Sequence, residues 1–310
     1  MRIDYTLHAQ HLADVIAAFW ELSGQKLRLF RRRYDPAEGS PVYTAGGRYT
    51  SRGWTEWTQG FQFGGELLQF EATGEEEALS WGRSGTLERM PQHVTHFGVH
   101  DHGFNTVSTF GNLWRMILEG RLEVSDWERR TYEMAIIASA SVQAWRWTPT
   151  AGGGGFIYSF NGPHSLFIDT LRSLRVLALG HALGHVVLAE RDVRVSLLDR
   201  LIRHAHTTAR YAIYYGEGRD AYDGWGRTAH ESLFDTVDGS YRCPSTQQGY
   251  SPFSTWTRGL AWAMCGFAEI LEWLWTLPEN AFEPFGGRDA VESPLLRAAL
   301  ATCDRYLEIS

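Results

Sequence analysis

Cysteine is scarce in this chain: three residues among 310, at positions 243, 265 and 303. They are far apart and odd in number, which supports neither a disulfide framework nor a thiolate metal site. No apolar run is long enough to span a bilayer. The opening M-R-I-D-Y-T-L-H-A-Q lacks the hydrophobic centre of a secretory signal. A reducing cytoplasm is therefore the expected location, with no membrane as partner. Basic residues are outnumbered, 29 Lys and Arg against 36 Asp and Glu, for a net charge of −7. With no basic stripe to offset that balance, nucleic acid is not an expected partner. The one basic cluster, Arg31 to Arg33, reads as a solvated loop end. Also missing are a Gly-rich phosphate loop, a G-x-S-x-G elbow and a catalytic Cys-His signature.

Aromatic residues are what the chain has in excess: 13 Trp, 13 Tyr and 16 Phe. So many rings suit a carbohydrate cleft, where the CH faces of sugars stack on them, and equally a large helical core. The stretch from Thr246 to Trp262 brings the question to a point. It starts as a polar loop and becomes an apolar helix at Ser254 or Thr255, either of which can cap it. Trp256 stands at the helix start, and Arg258 and Trp262, four apart, share a face. A fixed guanidinium beside aromatic planes suits a flat sugar ring with a carboxylate, which Arg grips through two parallel hydrogen bonds. The alternative is a core helix whose Trp residues pack and whose Arg reaches the surface.

Helical periodicity recurs along the whole chain. A first helix over 8–23 stops near Gly24. Residues 31–54, with Pro36, Pro41 and Gly46-Gly47, read as a turn-rich loop with a short hairpin. Helices follow over 57–72 and 75–90, then one through Trp114 closed by Gly120. S-D-W-E at 125–128 is a capping box for a helix to about 142. Further helices are expected over 163–183, 193–215 and 256–275, with Ser293-Pro294 opening the last. Residues 216–253 form the longest irregular stretch, and a loop of that length usually carries function. The expectation is nine or ten helices, almost no strands, no linker, and one domain over 1–310.

Two carboxylates stand out. Asp101 lies in H-F-G-V-H-D-H-G-F near a helix start, where an acid also complements the helix dipole. His100 and His102 flank it, but no second ligand cluster exists, so no metal is implied. Asp169 sits among Leu166, Phe167, Ile168 and Leu171. A carboxylate there either has its pKa raised by desolvation, as a general acid requires, or pairs with Arg172 or another buried cation. His181 and His185 are four apart but lack the Glu of a zinc-protease motif.

Seven segments in order resemble the unsaturated glucuronyl hydrolases, glycoside hydrolase family 88. W-T-Q-G-F at 57–61 with E-A-T-G at 71–74 is similar to the family's W-x-x-G-F…Y-E-x-T-G. H-D-H-G-F at 100–104, F-I-D at 167–169 and H-A-H-T-T at 204–208 resemble H-D-L-G-F, I-I-D and H-A-x-T-T. His230 followed by Phe234-Asp235, then Gln248-Gly249-Tyr250, matches the substrate loop. S-T-W-T-R-G-L-A-W at 254–262 resembles S-x-W-A-R-G-Q-A-W.

The resemblance implies an all-α (α/α)6 barrel that hydrates the C4=C5 double bond of an unsaturated uronic acid at the non-reducing end of lyase-derived oligosaccharides. It implies Asp169 as the proton donor and Asp101 as the group that orients the sugar and modulates Asp169. His230, Gln248 and Arg258 would hold the uronate, with His100 and Trp256 beside them and Trp57, Phe61 and Trp262 as stacking walls. No cofactor is implied. Gln247 stands where the family often has His, and Phe160 where a Trp lines the site. Arg172 and Ser173 replace an apolar and an Asn position. The family continues for roughly two helices past Ser310, so the barrel is expected to be incomplete at its C-terminus. Two other readings stay open: a neighbouring barrel hydrolase acting on unsaturated rhamnogalacturonides or saturated glucuronides, and a non-catalytic helical sugar-binding protein.

Overall fold

The computed structural model describes residues 4–35, 39–52 and 57–310. The chain forms two compact units, Met1–His96 with Phe104–Ile136, and Phe97–Gly103 with Ile137–Ser310.

In the first unit the opening helix is Ala13–Arg33 and does not stop at Gly24. That glycine is buried, and a Cβ there would stand 2.9 Å from Gln69 Nε2. Gln69 Nε2 donates instead to the Trp20 carbonyl at 3.1 Å, so the missing side chain serves close helix packing rather than termination. Arg31 is likewise not at a solvated loop end. It lies in the helix's last turn, and its Nε donates to Glu66 Oε1 at 2.8 Å, both side chains only 5% exposed. The strands Ser40–Ala45 and Arg48–Arg52 form the expected hairpin. Gly46 and Gly47 have φ of 58° and 74°, as a two-residue turn of this hand demands. Pro36 and Trp54, part of the same expectation, lie outside the described residues. Helices Thr58–Thr73 and Glu76–Arg89 follow, the first closed by left-handed Gly74. Ser125 Oγ accepts the Glu128 N–H at 3.2 Å, but the Glu128 carboxylate turns to Arg83, so only half of the capping box forms.

The second unit contains strands where helix and loop are expected. The apolar run 163–183 begins as the strand Ser165–Phe167, turns at Ile168-Asp169, and only then becomes helical over Thr170–Ser173 and Arg175–Ala182. Its sheet neighbours, Glu231–Phe234 and Tyr241–Ser245, come from the stretch 216–253 that reads as irregular. A short continuous apolar run has no period to separate strand from helix, and pairing across more than sixty residues leaves no local signal. Helix Leu197–Tyr211 is capped by Ser196 Oγ. The helix Thr257–Leu274 starts one residue after Trp256, and neither Ser254 nor Thr255 caps it. Ser254 Oγ instead donates to the Ser251 carbonyl at 2.9 Å. The last helix, Arg288–Ile309, begins before Pro294 and carries it internally, while Ser293 Oγ reaches back to Asp289. Leu171, Leu177, Leu201, Phe267 and Leu271 are buried in this unit's core. Among the described residues no helix is long and apolar enough to cross a membrane.

Candidate active site

The site grows from the end of one strand. Ile168 N donates to the His230 carbonyl at 3.0 Å, which extends the strand Ser165–Phe167 by one step before the chain turns. The turn leaves Asp169 at a helix start with its side chain 13% exposed, although its neighbours are fully buried. The segment carrying His100 and Asp101 is stitched to the same turn. Ser173 Oγ donates to the His100 carbonyl at 2.8 Å and accepts the Gly103 N–H at 2.8 Å. Gln143 Nε2 donates to the same carbonyl at 3.0 Å. Only glycine fits at 103, because a Cβ would collide with the Ser173 backbone.

This stitching puts His100 between two carboxylates. Its Nε2 lies 3.0 Å from Asp169 Oδ1 and 3.8 Å from Asp101 Oδ1. Its Nδ1 accepts the Phe160 N–H at 3.2 Å, so Nε2 carries the proton offered to Asp169. Phe160, half exposed, lies nearly parallel to the imidazole at 6.0 Å. Burial opposes a charged His100, but the fields of Asp101 and Asp169 prevail and raise its pKa. A second proton on Nδ1 would have to displace the Phe160 N–H.

Asp169 does not show the raised pKa expected from its apolar sequence neighbours. Desolvation pushes it up, but the charge and hydrogen bond of His100, then His230 and Arg258, bring it below the ordinary carboxylate value. The Arg172 alternative also fails. That guanidinium bonds Glu269 at 2.8 Å and lies 5.4 Å from the Trp262 ring centroid. The partner beside Asp169 is His100, 3.0 Å away.

Opposite this pair stands His230, buried at the start of its strand. Its Nδ1 accepts the Gln247 N–H at 3.1 Å and the Gln248 N–H at 3.4 Å, and lies 3.1 Å from Thr246 Oγ1. The proton is thereby placed on Nε2, which makes no hydrogen bond among the described residues. Burial lowers its pKa and keeps the ring neutral against the pull of Asp169. Trp256 packs on it at 4.2 Å between centroids. Arg258 lies 4.7 Å over the Trp256 ring and donates to Gln248 Oε1. Thus His100, Asp101, Phe160, Asp169, His230, Gln247, Gln248, Trp256 and Arg258 form one linked cluster. Trp57 and Phe61 lie in the other unit, edge to face at 5.6 Å and each against Phe104.

No family model matches the chain. A curated unsaturated glucuronyl hydrolase of Formosa agariphila is 26% identical over 220 residues, covering 68% of this chain and 47% of that protein. The chain thus spans about half the length of that curated relative. An unsaturated glucuronyl hydrolase specific for heparin matches in structure with a TM-score of 0.69 at 18% identity, over 93% of this chain and 66% of that one. The chain is similar to the unsaturated glucuronyl hydrolases and has their α/α-barrel fold. Another such structure, with dGlcA-Glc-Rha-Glc, gives a TM-score of 0.66 at 22% identity, over 94% of this chain and 67% of that one.

Several residues that build the site lie outside the motifs shared with the unsaturated glucuronyl hydrolases or pass unnoticed within them. Arg146 is buried and donates to the carbonyls of Phe97, Tyr158 and Ser159, tying the His100 segment to the Phe160 loop. Nothing about W-R-W at 145–147 marks that arginine as internal. Ser173 shows in sequence only as a departure from the family. His204 is buried, accepts the Ile157 N–H at 2.9 Å through Nδ1, and is pushed down to about 3 by burial.

Proposed function

We propose that this chain hydrates the C4=C5 double bond of an unsaturated uronic acid at the non-reducing end of an oligosaccharide. The observation that carries the reading is the Asp169–His100 pair at 3.0 Å, facing the free Nε2–H of His230 and the Arg258 guanidinium. Arg258 and His230 receive the uronate carboxylate, with Gln248 steadying Arg258 and Trp256 and Phe160 offering ring faces. Trp262 is assigned to a sugar wall by resemblance.

An anionic substrate changes the balance at Asp169. The uronate offsets the Arg258 charge that helps hold the carboxyl down and brings its own negative charge beside it, both of which favour the protonated form. Asp169 takes up a proton and delivers it to C4, leaving positive charge shared between C5 and the ring oxygen. Water adds at C5 and returns a proton to Asp169, so the acid is regenerated. The hemiketal opens and releases the remaining sugars. Asp101, on the other side of His100, orients the sugar and keeps the imidazole in place. Proton transfer and the addition of water make up this chemistry, with no redox step, so it calls for no cofactor. Three free cysteines are consistent with a reducing cytoplasm as the place where it runs.

The test is the ultraviolet absorbance of the conjugated double bond in an unsaturated disaccharide. Its disappearance with the wild-type chain supports hydration. Release of a saturated glucuronide without that loss points to an ordinary glucuronidase, and binding without either points to a sugar-binding protein.

A further inference from the structure

A cavity of about 710 Å³ lies in the second unit, lined by Pro163, His164, Leu233, Asp235, Arg242 and Cys243 among others. None of these belongs to the cluster around Asp169, yet the same three strands carry both. Phe167 pairs with Glu231 and Ser165 with Leu233, while Glu231 pairs with Ser245 and Leu233 with Cys243. Directly paired and alternate residues point to one face, so Phe167, Leu233 and Cys243 share it. Phe167 in turn contacts His100, Phe160 and His230, with ring centroids 5.5, 5.4 and 4.7 Å away. Leu233 lies three positions on from His230, about 10 Å along a strand. The loop from Phe160 to His164 makes the same passage, with Phe160 against the His100 ring and His164 at the cavity.

The chemistry of the cavity is amphipathic. Leu233 and Pro163 supply apolar surface suited to the CH face of a sugar. Arg242 is exposed, and its guanidinium makes no hydrogen bond or ion pair among the described residues. His164 is exposed beside it. The carboxylate of Asp235 accepts the Val237 N–H at 2.8 Å, and Arg242 is the cavity's guanidinium, its field also reaching Asp238.

We propose that this cavity binds the next acidic sugar of the oligosaccharide, with Arg242 gripping its carboxylate or sulfate. The proposal rests on the uronide reading above. In a polymer that alternates uronate with a second sugar, the acidic group recurs after one disaccharide repeat, a length comparable to the separation along these strands. The chain thereby distinguishes longer acidic substrates from disaccharides.

The probes are the unsaturated disaccharide and tetrasaccharide obtained by lyase digestion of hyaluronan. Arg242→Ala is expected to raise KM for the tetrasaccharide roughly tenfold, as for loss of a charge-assisted hydrogen bond, and to leave the disaccharide unchanged. Arg242→Lys should recover part of the loss. Equal effects on the two substrates, or none on the tetrasaccharide, overturn the proposal. If wild-type protein turns over neither substrate, the reaction assignment fails while the cavity remains testable. Equilibrium binding of the same tetrasaccharide to wild type and Arg242→Ala then decides, and equal affinities reject the subsite.

Discussion

His100 Nε2 stands 3.0 Å from Asp169 Oδ1, closer than to the carboxylate of its own chain neighbour Asp101 at 3.8 Å. The contact makes Asp169 a held carboxylate in the substrate-free site, so under the proposed reaction the acid has to be created by binding. Titrating wild-type protein with an unsaturated disaccharide in buffers of different ionisation enthalpy should therefore reveal net proton uptake. Asp169→Asn should abolish that uptake and lower kcat by a factor on the order of 10² to 10⁴, with substrate still bound. A correctly folded Asn variant of near wild-type rate would transfer the role of acid to Asp101.

Arg258 makes its contribution before the reaction begins. Arg258→Ala should raise KM roughly tenfold or more with a smaller change in kcat, because it removes a grip present in both ground and transition states. It also removes one of the charges that lower Asp169. The Asp169 titration, followed by NMR in the free protein, should move to higher pH; a shift downward contradicts the assigned field.

Ser173 is a positioning residue. Ser173→Ala leaves the Gly103 N–H without its acceptor and the His100 carbonyl without one donor. An ångström-scale drift of His100 should lower kcat roughly 10- to 100-fold. KM and the unfolding midpoint should change little, and Ser173→Thr should recover part of the rate. A purely structural role would show as a lowered unfolding midpoint with kcat intact.

His204 gives stability a pH dependence. Folded, it titrates at about 3, against an ordinary value of 6.5. Between those values the unfolded chain binds the proton that the folded chain refuses, so stability rises with pH across that window and levels off above it. The contribution is on the order of 5 kcal/mol. Denaturant midpoints for wild type and His204→Gln from pH 4 to 7 should show a shallower slope in the variant. Parallel slopes would remove His204 as the source.

Arg31 and Glu66 form a buried ion pair in the first unit. Burial nonetheless raises the Glu66 carboxyl, its desolvation outweighing the attraction of Arg31. Arg31→Met should destabilise the fold by roughly 3–5 kcal/mol, since it strands a buried carboxylate. Adding Glu66→Met should recover most of that loss. A double variant no better than the single would show that packing, not charge, governs this contact.

Elements whose ends are local can be read from the residues alone: Gly74 closing one helix, Gly46-Gly47 turning a hairpin, Ser125 starting another helix. The sequence also supplied the chemical identities at the site, because Asp101, Asp169, His230 and Arg258 stand in motifs whose order and spacing are linear information. Tertiary structure decided the rest. The strand Ser165–Phe167 exists because Glu231–Phe234 pairs with it, and that partner lies more than sixty residues away in a stretch that reads as a loop. Gly24 and Pro294 look like boundaries locally, yet one is an interhelical contact and the other an interior position. The protonation of Asp169 was likewise beyond local reading: apolar neighbours argue for a raised pKa, but His100, His230 and Arg258, brought in from three distant segments, reverse the sign. Desolvation is written in the neighbouring residues, whereas Coulomb fields belong to whatever the fold brings close.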